Sequence, residues 1–364
     1  MKYIVLAGLG FILSVCSGGS REENTPEKKI GTDVSFSELL IPLPRKSILS
    51  DKDYHIWCGS MIRTEDGICH LFYSRWPMTY GHLAWVSHSE IAYAVADNPL
   101  GPYTHVNVAL PPRGKEYWDG LMTHNPTIHK FGDKYYLYYV GNTGDQKITP
   151  KINHIHRNNQ RIGVAIADHP AGPWTRSDKP LLDVTPDKKA TDALMVTNPA
   201  ITMKPDGGFL MIYKAAAIDS TKDNLGGKVV HRVAYAENPA GPFTKLPGQI
   251  FEADKSQFPA EDPYIWFQDD RYLAIVKDMH GAFTSEGTAL LLFESFDGID
   301  WSLCSKPLVS RIELNWEDGV KEKIYRLERP QLFFENGKPA VLFASAAYSD
   351  KHSFNVHISL NMNY

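Results

Sequence analysis

A short phrase built around proline recurs four times along the chain at a nearly constant interval. Each copy has two variable residues, then proline, then the start of an apolar run. The copies occupy residues 124–128, 197–201, 261–265 and 328–332, and their prolines are 73, 64 and 67 residues apart. A unit of this length cannot bury its own faces and has to pack on its neighbours. The chain is therefore a series of repeated, mutually supporting units.

A second repeated feature, a turn ending in Gly-Pro-aromatic, lies between the proline phrases. It occupies residues 96–103, 167–174 and 236–243. Around both features, short runs rich in Val, Ile, Tyr and Phe alternate with turn residues, which is typical of β-strands. Four strands per unit predict an all-β fold, a five-bladed β-propeller with four-stranded antiparallel blades around a central channel. The fifth unit lacks a fourth strand, and we expect residues 33–45 to supply it and close the ring.

The first residues of the chain have the features of an export signal. An apolar stretch over residues 3–15 is too short to span a bilayer, and Cys16 ends it before a polar sequence. This order resembles a bacterial lipoprotein signal, in which the cysteine becomes the lipidated first residue. We predict Cys16 as the lipidation site; simple secretion and a buried N-terminal strand are the alternatives.

These features divide the chain into three parts. We predict a signal peptide at residues 1–16, a flexible tether at residues 17–32 and a single propeller domain at residues 33–364. The expected location is that of an exported bacterial protein, a periplasmic or outer-membrane lipoprotein whose lipid is its only attachment to a membrane.

Composition excludes several classes of function. A net charge of −4 without a basic run argues against a nucleic-acid partner. The sequence contains no Gly-rich phosphate loop, no Cys-x-x-Cys and no Gly-x-Ser-x-Gly motif. Only Cys58, Cys69 and Cys304 follow Cys16, and this odd number predicts free, buried thiols rather than a disulfide framework.

The residues just before each repeated proline are the strongest candidates for a functional site. They precede the innermost strand of a blade, so they converge on one mouth of the channel. Like charges held so close are costly without a role or a ligand. The alternative is that the charged members pair with one another and cap strands. We predict that Glu261, Asp262 and Glu328 are catalytic and that His124, Asn125, Asn198 and Arg329 bind substrate.

An aspartate also lies seven residues before each of the first two prolines, at Asp119 and Asp192. Trp118 precedes Asp119, and an aromatic ring suits the face of a sugar. We therefore predict Asp119 as a catalytic residue and Trp118 as a substrate-binding residue. The alternative is a shared loop turn, in which each aspartate accepts local backbone N–H groups.

Three further residues complete the predicted binding site. Lys277 and His280 end the second strand of the fourth unit, one hairpin after the catalytic candidates, and Trp57 lies in an aromatic segment of the first unit. His154 and His156 are two residues apart, a spacing at which two histidines on a strand could bind one metal ion. No other ligand spacing supports a metal site, so we predict a rim loop there. We expect no cofactor and no catalytic metal; a structural cation in the channel stays open as an alternative.

The last third of the chain resembles glycoside hydrolase family 117. The matching motifs lie at residues 261–263, 277–279, 297–301, 316–319 and 327–332, within roughly residues 255–345. More loosely, the Gly-Pro-aromatic turns resemble families 43, 32 and 68. The resemblance implies a five-bladed propeller that removes a terminal 3,6-anhydro-L-galactose from agar oligosaccharides, with site roles for Asp262 and Glu328. Two positions depart from the family: Asn125 stands where the family's base is an aspartate, and the stretch before Glu328 lacks the family's general-acid histidine.

Paired carboxylates in a water-accessible pocket suit glycoside hydrolysis, which needs an acid for the leaving oxygen and a base for water. We expect an exo-acting, inverting glycoside hydrolase that releases a terminal sugar from oligosaccharides of plant or algal polysaccharides. Asp119 is the expected base, Glu261 or Glu328 the acid, and Asp262 a positioning or modulating group. Inversion predicts a separation of about 6.5–9.5 Å between two of these carboxyl groups.

Two other functions are compatible with the same residues. The first is a non-catalytic carbohydrate-binding propeller, which the amide at Asn125 favours. The second is a phosphorolytic enzyme, in which Arg329, Lys214, Lys277 and His280 would bind phosphate.

Overall fold

The computed structural model describes residues 28–149, 151–254 and 256–363. Five four-stranded antiparallel sheets follow one another in a closed ring. The first strands of successive blades contact one another, so these strands surround the axis. The predicted five-bladed β-propeller is confirmed.

The strand bounds follow the repeats seen in the sequence. The first strand along the chain is β1 (Ile48–Leu49). Blade 1 consists of β2 (Tyr54–Arg63), β3 (Cys69–Pro77), β4 (Glu90–Ala96) and β5 (Thr104–Leu110). Blade 2 consists of β6 (Met122–Phe131), β7 (Lys134–Asn142), β8 (Arg161–Ala167) and β9 (Thr175–Arg176). Blade 3 consists of β10 (Met195–Met203), β11 (Phe209–Ile218), β12 (Gly226–Ala236) and β13 (Thr244–Lys245).

The last two blades are separated by a small hairpin. Blade 4 consists of β14 (Ala260–Gln268), β15 (Arg271–Asp278), β16 (Ala289–Ser295) and β17 (Ser302–Arg311). The hairpin pairs β18 (Glu313–Asn315) with β19 (Lys321–Lys323). Blade 5 consists of β20 (Arg326–Glu335), β21 (Lys338–Ser349), β22 (His352–Ser359) and, on its outer edge, β1.

Helices are few and short: α1 (Phe36–Leu39), α2 (Trp85–His88) and α3 (His154–Asn158), with 3-10 turns at Met78–Tyr80 and His82–Ala84. None of the helices formed by the residues described above has the length and apolar character of a membrane span. The segment predicted as a rim loop differs in detail, because α3 forms there and buries His156. The Asn153 side chain caps α3 by accepting the N–H groups of Ile155 and His156.

The N-terminal strand closes the ring, but not where the sequence predicted. The closing strand β1 pairs Ile48 with Val356, whereas residues 33–45 were expected to supply it. Pro42 and Pro44 interrupt that earlier segment and remove backbone donors that a paired strand needs. Residues 33–45 instead form α1 and place Phe36 in the core.

The predicted tether also ends earlier than expected. Ile30 is fully buried in the core beside blades 4 and 5, so the folded domain includes part of residues 17–32. The predicted signal peptide and its lipidated Cys16 lie outside the described residues.

The core lies between the blades. All eight residues of β15 are buried, which explains why the central strands contain nearly continuous apolar runs. Leu273 of blade 4 and Leu342 of blade 5 belong to one apolar cluster, and Phe72 of blade 1 packs with Leu137 of blade 2 in another. Burial of apolar surface, worth about 25 cal/mol per Å², thus holds each blade to the next.

The three cysteines of the described residues, Cys58, Cys69 and Cys304, are buried and form no disulfide, as predicted.

Candidate active site

Each innermost strand carries a β-bulge at the same place. In blade 4 the pairing between β14 and β15 shifts between Glu261 and Tyr264, and the other four blades shift at the equivalent position. A β-bulge breaks the regular alternation of the strand and thereby redirects a side chain. The residue at the bulge has a positive φ of 53–57° in every blade: Cys58, Asn125, Asn198, Asp262 and Arg329.

Four of these bulge residues directly precede the repeated prolines. In blade 1, Cys58 precedes Gly59 instead, so the first copy of the phrase carries no proline to mark it. Positive φ is uncommon outside glycine, and Asn and Asp tolerate it best. The backbone therefore explains why Asn125, Asn198 and Asp262 suit this position.

The five bulge side chains meet on the axis and form a ring, here called the five-residue ring. The Asn125 amide donates to Asn198 Oδ1 at 2.6 Å, and the Asn198 amide donates to Asp262 Oδ1 at 2.6 Å. Arg329 Nη1 donates to Asp262 Oδ1 at 3.2 Å, and Cys58 Sγ donates to Asn125 Oδ1 at 2.6 Å. These four hydrogen bonds connect the bulge residues of all five blades in sequence, from Cys58 to Arg329.

A cavity of about 250 Å³ opens above the five-residue ring. Its lining divides by blade. Blades 1 and 2 and the segment joining β3 to β4 supply the aromatic wall: Trp57, Trp76, His82, Trp85 and His124. Blades 3, 4 and 5 supply the charged wall: Lys214, Glu261, Asp262, Arg326, Glu328 and Arg329.

The aromatic wall is rigid and carries no charge. The Trp85 ring stacks on His124 with ring centroids 4.7 Å apart, and His124 Nδ1 lies 2.7 Å from the Ser89 hydroxyl. Burial holds the pKa of His124 well below its ordinary value, and the positive charge of Arg329 acts in the same direction. His124 is therefore a neutral hydrogen-bonding and stacking group.

The charged wall brings together three of the four predicted catalytic residues. One carboxylate oxygen from each of Glu261, Asp262 and Glu328 lies within 4.8 Å of the others. These nearest oxygens lie closer together than the separation of about 6.5–9.5 Å that inversion predicts for two carboxyl groups.

Each of these carboxylates has a cationic partner. Lys214 Nζ lies 2.6 Å from Glu261 and Lys277 Nζ lies 2.5 Å from Glu328. Lys277 also lies 3.7 Å from Glu261, and Arg326 lies 3.4 Å from Glu328. The two lysines have equivalent places, because Lys214 pairs across the sheet with Thr197 and Lys277 pairs with Glu261.

The charges divide the carboxyl groups into two kinds. Burial by itself raises the pKa of Glu261, but Lys214 and Lys277 outweigh it and lower the pKa to about 2. Burial raises the pKa of Asp262, and repulsion from Glu261 and Glu328 raises it as well. Arg329 and Lys214 lower the pKa but offset these effects only in part, so it lies at about 6. Carboxyl groups with pKa values pushed apart in one cavity are the usual arrangement for acid–base chemistry.

The same three carboxylates are the one group of potential metal ligands found within the described ranges. Their charge is already met by Lys214, Lys277 and Arg329, whose nitrogens occupy the surrounding space. The five-residue ring fills the axis below them. A structural cation at this place would compete with these three cationic side chains for the carboxylate oxygens.

Asp119 lies outside the cavity and is fully buried. Arg113 and Arg176 contact its carboxylate at 2.7 and 3.2 Å, and the Tyr139 hydroxyl donates to it at 2.7 Å. Both of its carboxylate oxygens accept hydrogen bonds within the fold. The expectation that Asp119 is the catalytic base is therefore corrected: its place is that of a structural ion-pair centre.

Asp192 of blade 3 repeats this arrangement. It is fully buried and contacts Arg232 at 3.0 Å, Lys245 at 2.7 Å and the Tyr213 hydroxyl at 3.2 Å. The aspartate seven residues before the proline thus joins the strands of its own blade. Both aspartates thus have equivalent structural places, but their partners are cationic side chains and a tyrosine hydroxyl rather than the local backbone N–H groups that the alternative predicted.

Two predicted binding residues also lie elsewhere. Trp118 stacks on Tyr139 and donates its indole N–H to the Ser177 carbonyl oxygen at 3.3 Å, outside the cavity. His280 is exposed in the loop after β15 and does not line the cavity. Lys277 lies behind the carboxylates, whereas Trp57, His124, Asn125, Asn198 and Arg329 line the cavity as predicted.

The sequence interpretation missed Arg157, Trp85 and Arg326, all of which line the cavity. Arg326 lies two residues before Glu328 at the start of β20, a position that strand alternation marks as facing the same way. Arg157 and Trp85 lie in segments between strands, where no repeat indicates their position.

The fold is shared with known carbohydrate-active proteins. A family 117 glycoside hydrolase from the marine bacterium Zobellia galactanivorans is 16% identical, with a TM-score of 0.58 over 86% of this chain and 85% of that chain. A BT0996 RGII complex is 16% identical, with a TM-score of 0.62 over 90% and 93%. The endo-arabinase from Bacteroides thetaiotaomicron VPI-5482 is 12% identical, with a TM-score of 0.55 over 89% and 98%.

Neither a protein-family model nor a curated protein matches the sequence. At identities this low the structural likeness establishes the architecture alone. This chain thus has the five-bladed propeller fold found in glycoside hydrolases of families 117 and 43.

Proposed function

We propose that this protein is a glycoside hydrolase that removes a terminal sugar from an oligosaccharide. One observation carries the proposal: Glu261, Asp262 and Glu328 lie together in a cavity that faces them with the aromatic wall. Aromatic rings bind the apolar face of a sugar, and carboxyl groups supply the proton and the negative charge that glycosidic cleavage needs.

The pKa values suggest how the work divides among the three carboxyl groups. Asp262, with a pKa of about 6, holds a proton under mildly acidic conditions and is the proposed general acid. Glu261, with a pKa lowered to about 2, stays ionised. Glu261 and Glu328 each form an ion pair with a lysine, and both are placed to face the developing positive charge of the sugar. Arg329 stabilises the negative charge that Asp262 carries after the proton has left.

The spacing of the carboxyl groups supports retention rather than inversion. The nearest oxygens of the three carboxyl groups lie within 4.8 Å of one another, a separation closer to that of retaining than of inverting enzymes. Retaining enzymes place their two carboxyl groups about 5–5.5 Å apart, because one of them attacks the sugar directly. We therefore propose a covalent intermediate on Glu261 or Glu328.

The shape of the cavity supports exo-action. The five-residue ring lies across the channel below the carboxylates, which favours binding of the end of an oligosaccharide over binding of its interior. The structural neighbours include an endo-arabinase, a family 117 enzyme and an RGII complex. They support a plant or algal cell-wall oligosaccharide as the substrate.

The test is incubation of the protein with a panel of such oligosaccharides and detection of released monosaccharide. Wild type is expected to release one sugar, and Asp262→Asn to lose about 10²–10⁴ in turnover while staying folded. NMR of the first product gives the anomer. Azide is expected to restore activity to either Glu261→Ala or Glu328→Ala, and the rescued variant identifies the nucleophile. An active wild type with a fully active Asp262→Asn places the chemistry elsewhere.

The second candidate is a non-catalytic carbohydrate-binding propeller. The amide of Asn125 and the ion pairing of every carboxylate in the charged wall favour it. It predicts oligosaccharide binding without release of sugar, and an altered affinity in Glu328→Gln without any altered turnover.

We also propose that the protein is exported and held at a membrane by lipid on Cys16. The supporting observation is the apolar stretch at residues 3–15 followed by this cysteine and a polar segment. Such an anchor would place the propeller in the periplasm or at the outer membrane, where polysaccharide fragments arrive.

A further inference from the structure

We propose that the sugar bound in this cavity carries an anionic substituent, a carboxylate or a sulfate ester, and that Arg157 recognises it. The inference rests on the proposed sugar-binding role of the cavity, and it adds the chemical class of the sugar. It is carried by the balance of charge around the site and by the way the fold holds Arg157.

The cavity contains more positive than negative charge. Four cationic side chains line it, Arg157, Lys214, Arg326 and Arg329, and Lys277 lies behind the carboxylates. Against them stand the carboxylates of Glu261, Asp262 and Glu328, together with Asp350, which pairs with Arg326 at 3.1 Å on the rim. Burial keeps the nearby His82 and His124 neutral, since it lowers the pKa of both side chains. With Asp262 ionised, one positive charge is left without a counterion, and a single anionic group on the ligand would balance it.

The unbalanced cation is Arg157. Within the described ranges, no carboxylate lies close enough to Arg157 to form an ion pair, whereas each of the other four cations has one. Burial lowers the pKa of Arg157, and the more distant Glu261 raises it. An arginine stays charged under such conditions, so a partly buried guanidinium without a carboxylate is costly unless a ligand supplies one.

The fold holds Arg157 in place before any ligand arrives. Its Nη1 donates to Asn158 Oδ1 at 3.1 Å, and the Asn158 amide donates to the Asn224 carbonyl oxygen at 2.7 Å. The helix that carries it, α3, is capped by Asn153. His156 of the same helix is fully buried, with Nε2 2.8 Å from Asp145. These contacts thus fix the long insertion between β7 and β8 in a position where Arg157 reaches the cavity.

A second arginine that lines the cavity also has unused donors, which are enclosed beside it. Arg329 is 2% exposed, and its Nε and Nη2 have no hydrogen-bond acceptor among the described residues. Its Nη1 contacts Asp262. Guanidinium groups bind carboxylate and sulfate through paired N–H donors, a geometry that neutral hydroxyl groups satisfy less well.

Binding measurements test the inference without depending on turnover. The probes are methyl glucuronide against methyl glucoside, methyl galacturonide against methyl galactoside, galactose 6-sulfate against galactose, and inorganic phosphate alone. At least one anionic sugar is expected to bind about 10- to 100-fold more tightly than its neutral partner, the contribution of one charge-assisted contact. A preference for uronides identifies the carboxylate, and a preference for galactose 6-sulfate identifies the sulfate ester.

Variants connect that preference to Arg157. Arg157→Gln is expected to abolish the difference between anionic and neutral sugars, and Arg157→Lys to retain part of it. Arg161→Gln is the matched control, because Arg161 lies on β8, pairs with Asp183 and does not line the cavity. The thermal unfolding midpoint of each variant shows that the domain has folded.

Three results would overturn the inference. They are equal binding of anionic and neutral sugars, an Arg157→Gln variant that keeps the preference, and phosphate binding as tightly as the best anionic sugar. The last result would indicate that the cationic side chains bind free phosphate, as in a phosphorolytic enzyme. A protein that binds anionic sugars but cleaves no oligosaccharide contradicts the proposed hydrolysis and leaves this inference standing.

Discussion

Glu261 and Asp262 are adjacent in the chain, yet the pKa values of their carboxyl groups are shifted in opposite directions, to about 2 and about 6. The bulge between Glu261 and Tyr264 separates their side chains. Glu261 meets Lys214, whereas Asp262 points into the five-residue ring between Asn198 and Arg329. The two kinds of carboxyl group that glycosidic cleavage requires thus come from one dipeptide.

The first prediction concerns the pH dependence of the proposed activity. Because the pKa of Asp262 is raised to about 6, its protonated form predominates below that pH and disappears above it. We expect kcat/KM to fall as pH rises through about 6, and we expect this limb to vanish in the residual activity of Asp262→Asn. A pH–rate profile of the free enzyme on a cleaved oligosaccharide measures it. If kcat/KM of the variant falls over the same pH range, a group other than Asp262 causes the pH dependence.

A second prediction concerns Asn198, whose amide donates to Asp262 at 2.6 Å. This hydrogen bond favours the ionised carboxylate, so its removal in Asn198→Ala should raise the pKa of Asp262 further, by about one unit. The alkaline limb is expected to move to higher pH by the same amount. Asn125→Ala is the matched control, because Asn125 lies one link further round the ring and does not contact Asp262. Equal shifts in both variants would contradict a direct effect of the Asn198 amide.

The third prediction separates structural from catalytic aspartates. Asp119→Asn leaves Arg113 and Arg176 without their shared carboxylate, so the free energy of unfolding should fall by about 3 kcal/mol. Asp192→Asn is expected to behave alike, because Arg232 and Lys245 share that carboxylate in the same way. Urea unfolding measures both, and the activity per folded molecule is expected to stay near that of wild type. A fully stable, inactive Asp119→Asn would restore Asp119 as a catalytic residue.

The fourth prediction concerns the aromatic wall. Trp85 stacks on the neutral His124 and lines the cavity opposite the carboxylates. Trp85→Ala removes this surface and is expected to raise KM, or the dissociation constant of a bound sugar, by about 2- to 10-fold. Trp85→Phe keeps a ring and should recover most of the affinity. If Trp85→Ala lowers kcat and leaves KM unchanged, the Trp85 ring does not act by binding the sugar.

The fifth prediction concerns the N-terminus. If lipid on Cys16 is the anchor, the native protein partitions with membranes and Cys16→Ala releases it to the soluble fraction. Fractionation of cells producing the two proteins, with immunodetection, measures the difference. Ser17→Ala, next to the cysteine, is the control that should stay with the membranes. Cys16→Ala that remains membrane-bound would show that another part of the protein holds it there.

Repetition is the property that made the fold predictable. The period of the proline phrases indicates the number and order of the blades, because each blade repeats one local pattern and contacts only its neighbours. The same period placed Glu261, Asp262 and Glu328 at one mouth of the channel. The bulge residue of blade 1, Cys58, was not predicted, because it precedes a glycine rather than a proline. Its bulge is nevertheless the same as in the other blades.

The sequence by itself thus determined the architecture and the convergence of the bulge residues, since both follow from short-range patterns repeated at a constant interval. Only the tertiary structure decided what each charge does. Arg176 neutralises Asp119 from 57 positions away in the chain, and Lys214 holds Glu261 from 47 positions away. Arg157 reaches the cavity from an insertion outside the repeat. Ion pairing and pKa depend on distances through space and on burial, which a one-dimensional pattern does not contain.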